Sequence, residues 1–409
     1  ETTSYWRALL CLLLLAFVVH WTADKVVRTL DGSPFVEYVP AAKGLVFLGA
    51  LIILSLPIAA DFCRIWRNAS WREVLLPLAV ALGVSLVSLA LTFQPGPLGL
   101  GVDYSLKSQN PFVQFEDWQS TRLLMPALSY SLFLRGTWPF YGFFLALTVV
   151  FIAALYAWFQ SHAKLSWWEF LSLCTVSFVS FQFQVPGYPD VLAYLLFLLV
   201  MGERFGPASK LSLLILALIA NESSIFVGVV LAWRYLPRKE RWTYLFAIGL
   251  YVAVWVALSN FDVGAVLASR NVDGMSGLAW VAREPGLEAF GLFMGYKALW
   301  AVIVWGGAAA WRSGRRSEAW FILAAVGAAV LMTFSAVDTS RLMGYAFPAL
   351  LVAIEVLKGA PLGKTGKTAL ASIFALNLLI PSAYVGLNAG VKTFRGLYGR
   401  LYEALARIW

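Results

Sequence analysis

The sequence predicts an all-α fold, a polytopic bundle of transmembrane helices, and three observations carry the prediction. Of 409 residues, 60% are hydrophobic and only 13% are charged, whereas a soluble domain runs near about 45–50% apolar and about 25% charged. Apolar runs of roughly 16 to 23 residues recur from end to end, the length that crosses a hydrocarbon core of about 30 Å at 1.5 Å per residue. No polar stretch is long enough to form a separate soluble domain, so residues 1–409 read as a single transmembrane domain.

In chain order, the spans read Tyr5 to Trp21, Gly44 to Phe62, Arg72 to Phe93, Trp138 to Phe159, Trp168 to Val185, Trp242 to Ser259, Ala289 to Trp311, Ala319 to Ala336, Leu342 to Leu357 and Thr368 to Leu387. The opening Glu1-Thr2-Thr3-Ser4 has neither a positive leader nor a cleavage pattern, so the first run reads as a retained span. Two regions are irregular. Asp190 to Gly202 is short, and Leu211 to Tyr235 is interrupted by Asn221-Glu222-Ser223-Ser224. An ionised side chain inside a span costs roughly 2.5–3.5 kcal/mol on insertion scales, so Glu222 marks either a break or a buried functional group.

Loop charge sets the orientation. Four connections are basic: Arg64, Arg67 and Arg72; Arg234, Arg238, Lys239 and Arg241; Arg312, Arg315 and Arg316; Lys358, Lys364 and Lys367. All four belong on the cytoplasmic side. A simple count of crossings puts the first on the opposite side from the rest. Parity is restored if Leu211 to Ala220 and Ser224 to Tyr235 are half-helices of a re-entrant hairpin with Glu222 at its tip, which is allowed where the irregular backbone is buried in protein. The alternative keeps Leu211 to Tyr235 as one span and makes Asp190 to Gly202 re-entrant. The hairpin gives about 11 crossings, a cytoplasmic N-terminus and an external C-terminus, with 94–137 and 260–288 as long outer loops and 388–409 as an amphipathic tail on the outer surface. The net charge of +9 then reports topology and implies no nucleic-acid partner.

Cysteine and histidine remove other chemistries. Cys11, Cys63 and Cys174 lie in or beside apolar runs without C-x-x-C spacing, which argues against a disulfide framework. With only His20 and His162, the sequence argues against a histidine-based zinc or haem site. The sequence specifies no cofactor, and a carboxylate-held divalent cation stays open.

Four constellations on the outer side carry chemistry. The loop from Asn110 to Leu128 joins Glu116, Asp117, Trp118 and Arg122, with Asp103 upstream; it suits a helix lying along the headgroups with solvated charges, or a loop presenting a carboxylate and a phosphate-binding arginine to a lipid-linked substrate. Tyr188-Pro189-Asp190 opens a helix, so Asp190 is either its cap or a ligand contact. Glu222 needs a partner at depth. Asp338-Thr339-Ser340-Arg341 offers an ion pair at i, i+3 spacing, or an arginine that Asp338 orients toward phosphate oxygens.

These motifs, in this order, resemble the polytopic glycosyltransferases of the GT-C type. The likeness runs from about Val102 to Pro348: an acid in a long outer loop, Arg-x-x-x-Pro (Arg122 to Pro126), an Asp opening a later span, a mid-membrane Glu, and Asp-x-x-Arg with a downstream Pro (Asp338, Arg341, Pro348). The resemblance implies a sugar donor carried on a polyprenyl phosphate, a loop carboxylate as general base and cationic groups on the leaving phosphate, in a bacterial cytoplasmic (inner) membrane. Mapped onto this chain, Asp117 is the first candidate base, with Asp103 and Glu116 in reserve, and Arg122, Asp190, Glu222, Asp338 and Arg341 bind substrate. The chain departs from the pattern in lacking an Asp-x-Asp or Glu-x-Asp pair. Its loop also follows extra spans, so either residues 1–93 include an added hairpin or the acid lies earlier, at Asp24 or Asp31. A competing expectation is a non-catalytic subunit that binds membrane lipids or partners in a larger complex. A transporter ranks third, since no inverted repeat is evident.

Overall fold

The computed structural model describes residues 39–67, 69–92, 96–97, 99–112, 122–258, 277–336, 338–386 and 390–392. Within them the chain is helical apart from one short ribbon, and six helices are long and apolar enough to cross a membrane: Gly44–Arg67, Trp71–Ala90, Thr137–His162, Pro285–Arg312, Arg316–Thr333 and Thr339–Gly359. It is an integral membrane protein. Tyr5 to Trp21, Asp24, Asp31 and nearly all of the tail 388–409 lie outside the described residues.

The first two spans are α1 (Val39–Arg67) and α2 (Trp71–Thr92), followed by two short helices, α3 (Leu100–Lys107) and α4 (Leu124–Ser131), and the long α5 (Thr137–His162). The expected span from Trp168 to Val185 is instead two helices, α6 (Trp167–Cys174) and α7 (Ser177–Gln184). The Thr175 hydroxyl donates to the Ser172 carbonyl at 2.8 Å, drawing on a helix carbonyl at the break, and Val176 is extended. Next come α8 (Asp190–Met201), α9 (Pro207–Ala220) and α10 (Ser224–Tyr235), too short to span alone, then α11 (Arg238–Leu258).

The second half holds α12 (Gly277–Arg283), α13 (Pro285–Tyr296), α14 (Trp300–Arg312), α15 (Arg316–Thr333), α16 (Thr339–Met343), α17 (Phe347–Gly359) and α18 (Lys364–Leu379). A left-handed Lys297 (φ 49°) bends the chain between α13 and α14. The last expected span, to Leu387, is corrected. Its helix stops at Leu379, because the residue before Pro381 is driven out of the helical region, and Ile380 is extended. The chain then forms an antiparallel ribbon of β1 (Tyr384–Gly386) and β2 (Gly390–Lys392), with Val385 opposite Val391.

Helices α9 and α10 form a hairpin. The ammonium of Lys210, at the start of α9, lies 5.3 Å from the ring of Tyr235, at the end of α10. One continuous helix would hold these residues about 37 Å apart. The hairpin puts every basic loop that the structure describes on one face. Arg64 reaches Asp61 at 2.7 Å and the Arg204 carbonyl at 3.0 Å; Arg234 reaches Glu318 at 3.5 Å; and Lys358 reaches Glu169 at 2.6 Å. Trp66, Trp71, Trp233, Trp242, Trp311 and Trp320 are exposed beside three of these loops, where an interfacial belt would lie.

Close backbone contacts assemble the opposite end. Gly101 and Gly187 meet where any side chain would collide: a Cβ on Gly101 would stand 2.2 Å from the Pro186 carbonyl, which seats the first turn of α3 on the loop before α8. Gly291 and Gly295 form a small-x-x-x-small face on α13, against Thr339 and Met343 of α16, where Cβ atoms would come within 2.8 and 2.6 Å.

Candidate functional site

The hairpin turn explains the first half of the site. Asn221 is extended, and its side-chain oxygen accepts from the Ser223 amide at 3.0 Å, which closes the turn. Its side-chain nitrogen then points outward and donates to Asp190 Oδ1 at 3.2 Å. The next residue, Glu222, is buried. Both its oxygens face Arg122, with Nε donating to Oε2 at 2.7 Å and Nη2 donating to Oε1, while Arg122 Nη1 donates to the Tyr104 hydroxyl at 3.0 Å. Arg122 is therefore buried in a bidentate pair and does not lie among headgroups. Burial works against its charge, but Glu222 outweighs that and holds its pKa well above the ordinary value.

Arg341 builds the second half. Its Nη2 lies 3.0 Å from Asp338 Oδ2, its Nη1 lies 3.5 Å from Asp190 Oδ2, and its guanidinium covers the Tyr188 ring at 5.2 Å. The i, i+3 pairing read from the sequence thus forms, and Asp190 joins it. Asp190 does not cap α8: Pro189 holds the cap position, no side-chain cap bond forms, and the carboxylate turns to Asn221 and Arg341. Tyr384 donates to Asp338 Oδ1.

Five of the eight candidate residues thus come together in two hydrogen-bonded groups, Arg122 with Glu222 and Asp190 with Arg341 and Asp338, joined through the chain because Asn221, which bonds Asp190, precedes Glu222. Glu222 is thirteen positions from Tyr235, so the hairpin tip stands about 20 Å from the basic face along the helix. The network opens at one edge, where the Asp338 side chain is 21% exposed while those of Asp190 and Glu222 are 0% exposed. Asp103 is half-buried on α3, one residue before Tyr104. Asp117 and Glu116 lie outside the described residues.

Several polar groups escaped the sequence reading. Tyr104 and Lys107 carried no motif; both are buried, and burial pushes Tyr104 up to about 12, while burial and then Arg122 push Lys107 down to about 7. Tyr384 sat in an expected helix. Lys297, a lysine within an apolar run, gave the same signal as Glu222 and could have been found by it. Glu288 on α13 is buried and accepts from the Thr339 hydroxyl. Among the described residues, no three His, Cys, Asp or Glu side chains stand close enough to hold a metal ion. Comparison of the chain with family models, with curated proteins and with solved structures finds no match.

Proposed function

We propose that the protein is a membrane glycosyltransferase of the GT-C type, which moves a sugar from a polyprenyl-phosphate donor to a lipid, glycan or protein acceptor at the outer face of a bacterial inner membrane. One observation carries the reading: residues from Arg122 to Arg341, far apart in sequence, meet in one charged network at the end of the bundle away from the basic loops. With those loops cytoplasmic, the α9–α10 hairpin is re-entrant, the count is about 11 crossings, and the network faces the outer leaflet.

Sugar transfer builds positive charge on the sugar and negative charge on the leaving phosphate, so it needs a carboxylate base and a fixed cation. Asp117 is the first candidate base, with Asp103 and Glu116 in reserve. Arg341 meets the donor phosphate at its Asp338 side, the edge of the network that is open, while Arg122, Glu222 and Asp190 hold the frame. In a transfer assay with a polyprenyl-phosphate sugar, Asp117→Asn lowers turnover by about 10² or more with folding retained. Unchanged turnover in Asp117→Asn, Glu116→Gln and Asp103→Asn alike removes the enzymatic reading.

The pairing of both guanidiniums with carboxylates favours a second reading, a non-catalytic subunit that keeps the network for structure. The two separate in a binding measurement. Donor affinity that drops in Arg341→Lys, where the charge stays and the fork is lost, supports the enzyme. Equal donor affinity in wild type and Arg341→Ala supports the subunit.

A further inference from the structure

A second polar cluster lies inside the bundle, built on other side chains than the charged network, although its Ser382 is two residues from Tyr384. Lys297 is buried at the left-handed bend between α13 and α14, fifteen residues from Arg312 and so roughly 22 Å from the basic face along the helix. Its Nζ lies 2.8 Å from Thr175 Oγ1, 2.9 Å from the Ile380 carbonyl oxygen and 3.5 Å from Ser382 Oγ. Three interruptions meet there: the bend itself, the break between α6 and α7, and the end of α18. Among the described residues Lys297 forms no ion pair with a carboxylate.

Counting hydrogens fixes the direction of each bond. The single proton of Thr175 Oγ1 goes to the Ser172 carbonyl, 2.8 Å away, and that oxygen also accepts from Asn377 Nδ2 at 3.1 Å. The single proton of Ser382 Oγ goes to the Thr175 carbonyl. The Ile380 carbonyl has no proton to give. All three neighbours of Nζ are therefore acceptors, two of them within 2.9 Å and Ser382 at 3.5 Å, so a lone pair on the nitrogen would face one of these oxygens. A neutral amine has two N–H groups and a lone pair; an ammonium has three N–H groups.

We infer that this is a monovalent-cation site built from three neutral oxygens, and that the chain fills it with its own ammonium. The oxygen set has the required chemistry: a carbonyl at the negative end of α18 and two oriented hydroxyls, in broken segments of the kind that hold cations in membrane proteins. The tethered cation pins the bend, and the bend aims α13, whose glycine face seats α16. The inference is independent of the glycosyl-transfer reading, and neither stands or falls with the other.

The test removes the tether and supplies the ion. In detergent micelles, Lys297→Ala melts below the wild type by about 5 °C or more, and n-propylammonium, which replaces the deleted segment, restores at least half of the loss. The neutral n-propanol restores none. Equal melting of Lys297→Ala and wild type, or equal effects of amine and alcohol, overturns the site. Should the variant not accumulate, the wild type still decides: the Nζ nitrogen resonance of Lys297 at neutral pH is that of an ammonium, and a neutral-amine resonance overturns the proposal.

Discussion

The two ends of the bundle use the same ion pairs in different solvents. On the basic face, Arg64 with Asp61 and Arg234 with Glu318 are partly exposed, the Arg64 side chain at 64% and the Arg234 side chain at 27%. At the other end Arg122 with Glu222 is 3% and 0% exposed. An exposed pair contributes about 0–1 kcal/mol, because water and salt screen it. A buried pair has lost its water, so its worth lies in the penalty for separating it, about 3–5 kcal/mol when one partner goes. The Arg64 and Arg234 pairs are therefore replaceable, whereas the buried pairs hold α3, α8, the hairpin tip and α16 in one arrangement.

The sharpest way to break this contrast is at Arg122. Arg122→Leu leaves the Glu222 charge buried without its guanidinium, and chemical denaturation in micelles is expected to show a loss of about 3–5 kcal/mol. Replacing both partners, Arg122→Leu with Glu222→Leu, removes the stranded charge and recovers most of that loss. A double variant no better than Arg122→Leu would mean that the pair supplies more than mutual neutralisation. Next in size is Asp338→Asn. It leaves Arg341 with the Asp190 carboxylate and puts a neutral amide where hydrogen bonds from both Arg341 and Tyr384 ended on a charge, for an expected loss of at least about 1.5–3 kcal/mol in the same measurement.

Lys107 sharpens the comparison through pH. Its folded pKa is lowered to about 7 from the ordinary 10.5, chiefly by burial. The unfolded chain therefore binds that proton more tightly, and stability rises with pH from about 7 to 10.5: the cost of burying the charge is complete below the window and absent above it. Lys107→Met removes the titrating group. The melting temperature of the variant relative to the wild type is expected to fall as pH rises from about 7 to 10.5. A gap that does not change with pH would refute this account.

What the sequence revealed follows the same physics. Glu222 was visible because a carboxylate in an apolar run is costly, and a reversal there was one of the two ways to satisfy the parity of the basic loops; the Lys210–Tyr235 contact is that reversal. Asp190 was visible as a charge at a helix start, but its role was not, because capping is local and its partners, Asn221 and Arg341, come from distant segments. The break at Thr175 was hidden, because the apolar run from Trp168 to Val185 is continuous in the sequence and carries no Gly or Pro at that point. Tyr384 was hidden because a two-strand ribbon carries almost no periodic signal, and the Ile380-Pro381 stop was read through. The Gly291 and Gly295 face sat in plain view, but a small-residue spacing names no partner without the fold.

The smallest expected effect lies on the basic face, and it tests the other side of the contrast. Arg234 is 3.5 Å from Glu318 and 3.4 Å from the Ser317 hydroxyl, and its guanidinium lies 5.4 Å from the Phe321 ring. Charge and packing are both present, so a single truncation would mix them. Arg234→Met keeps much of the stem and removes the charge; its expected cost is no more than about 1 kcal/mol, and smaller still in high salt, where the wild-type pair is already screened. Arg234→Ala adds the loss of stem packing, a part that salt leaves unchanged. A salt-independent loss of several kcal/mol in Arg234→Met would mean that this face excludes water as the hairpin end does, and the distinction between the two ends would then fail.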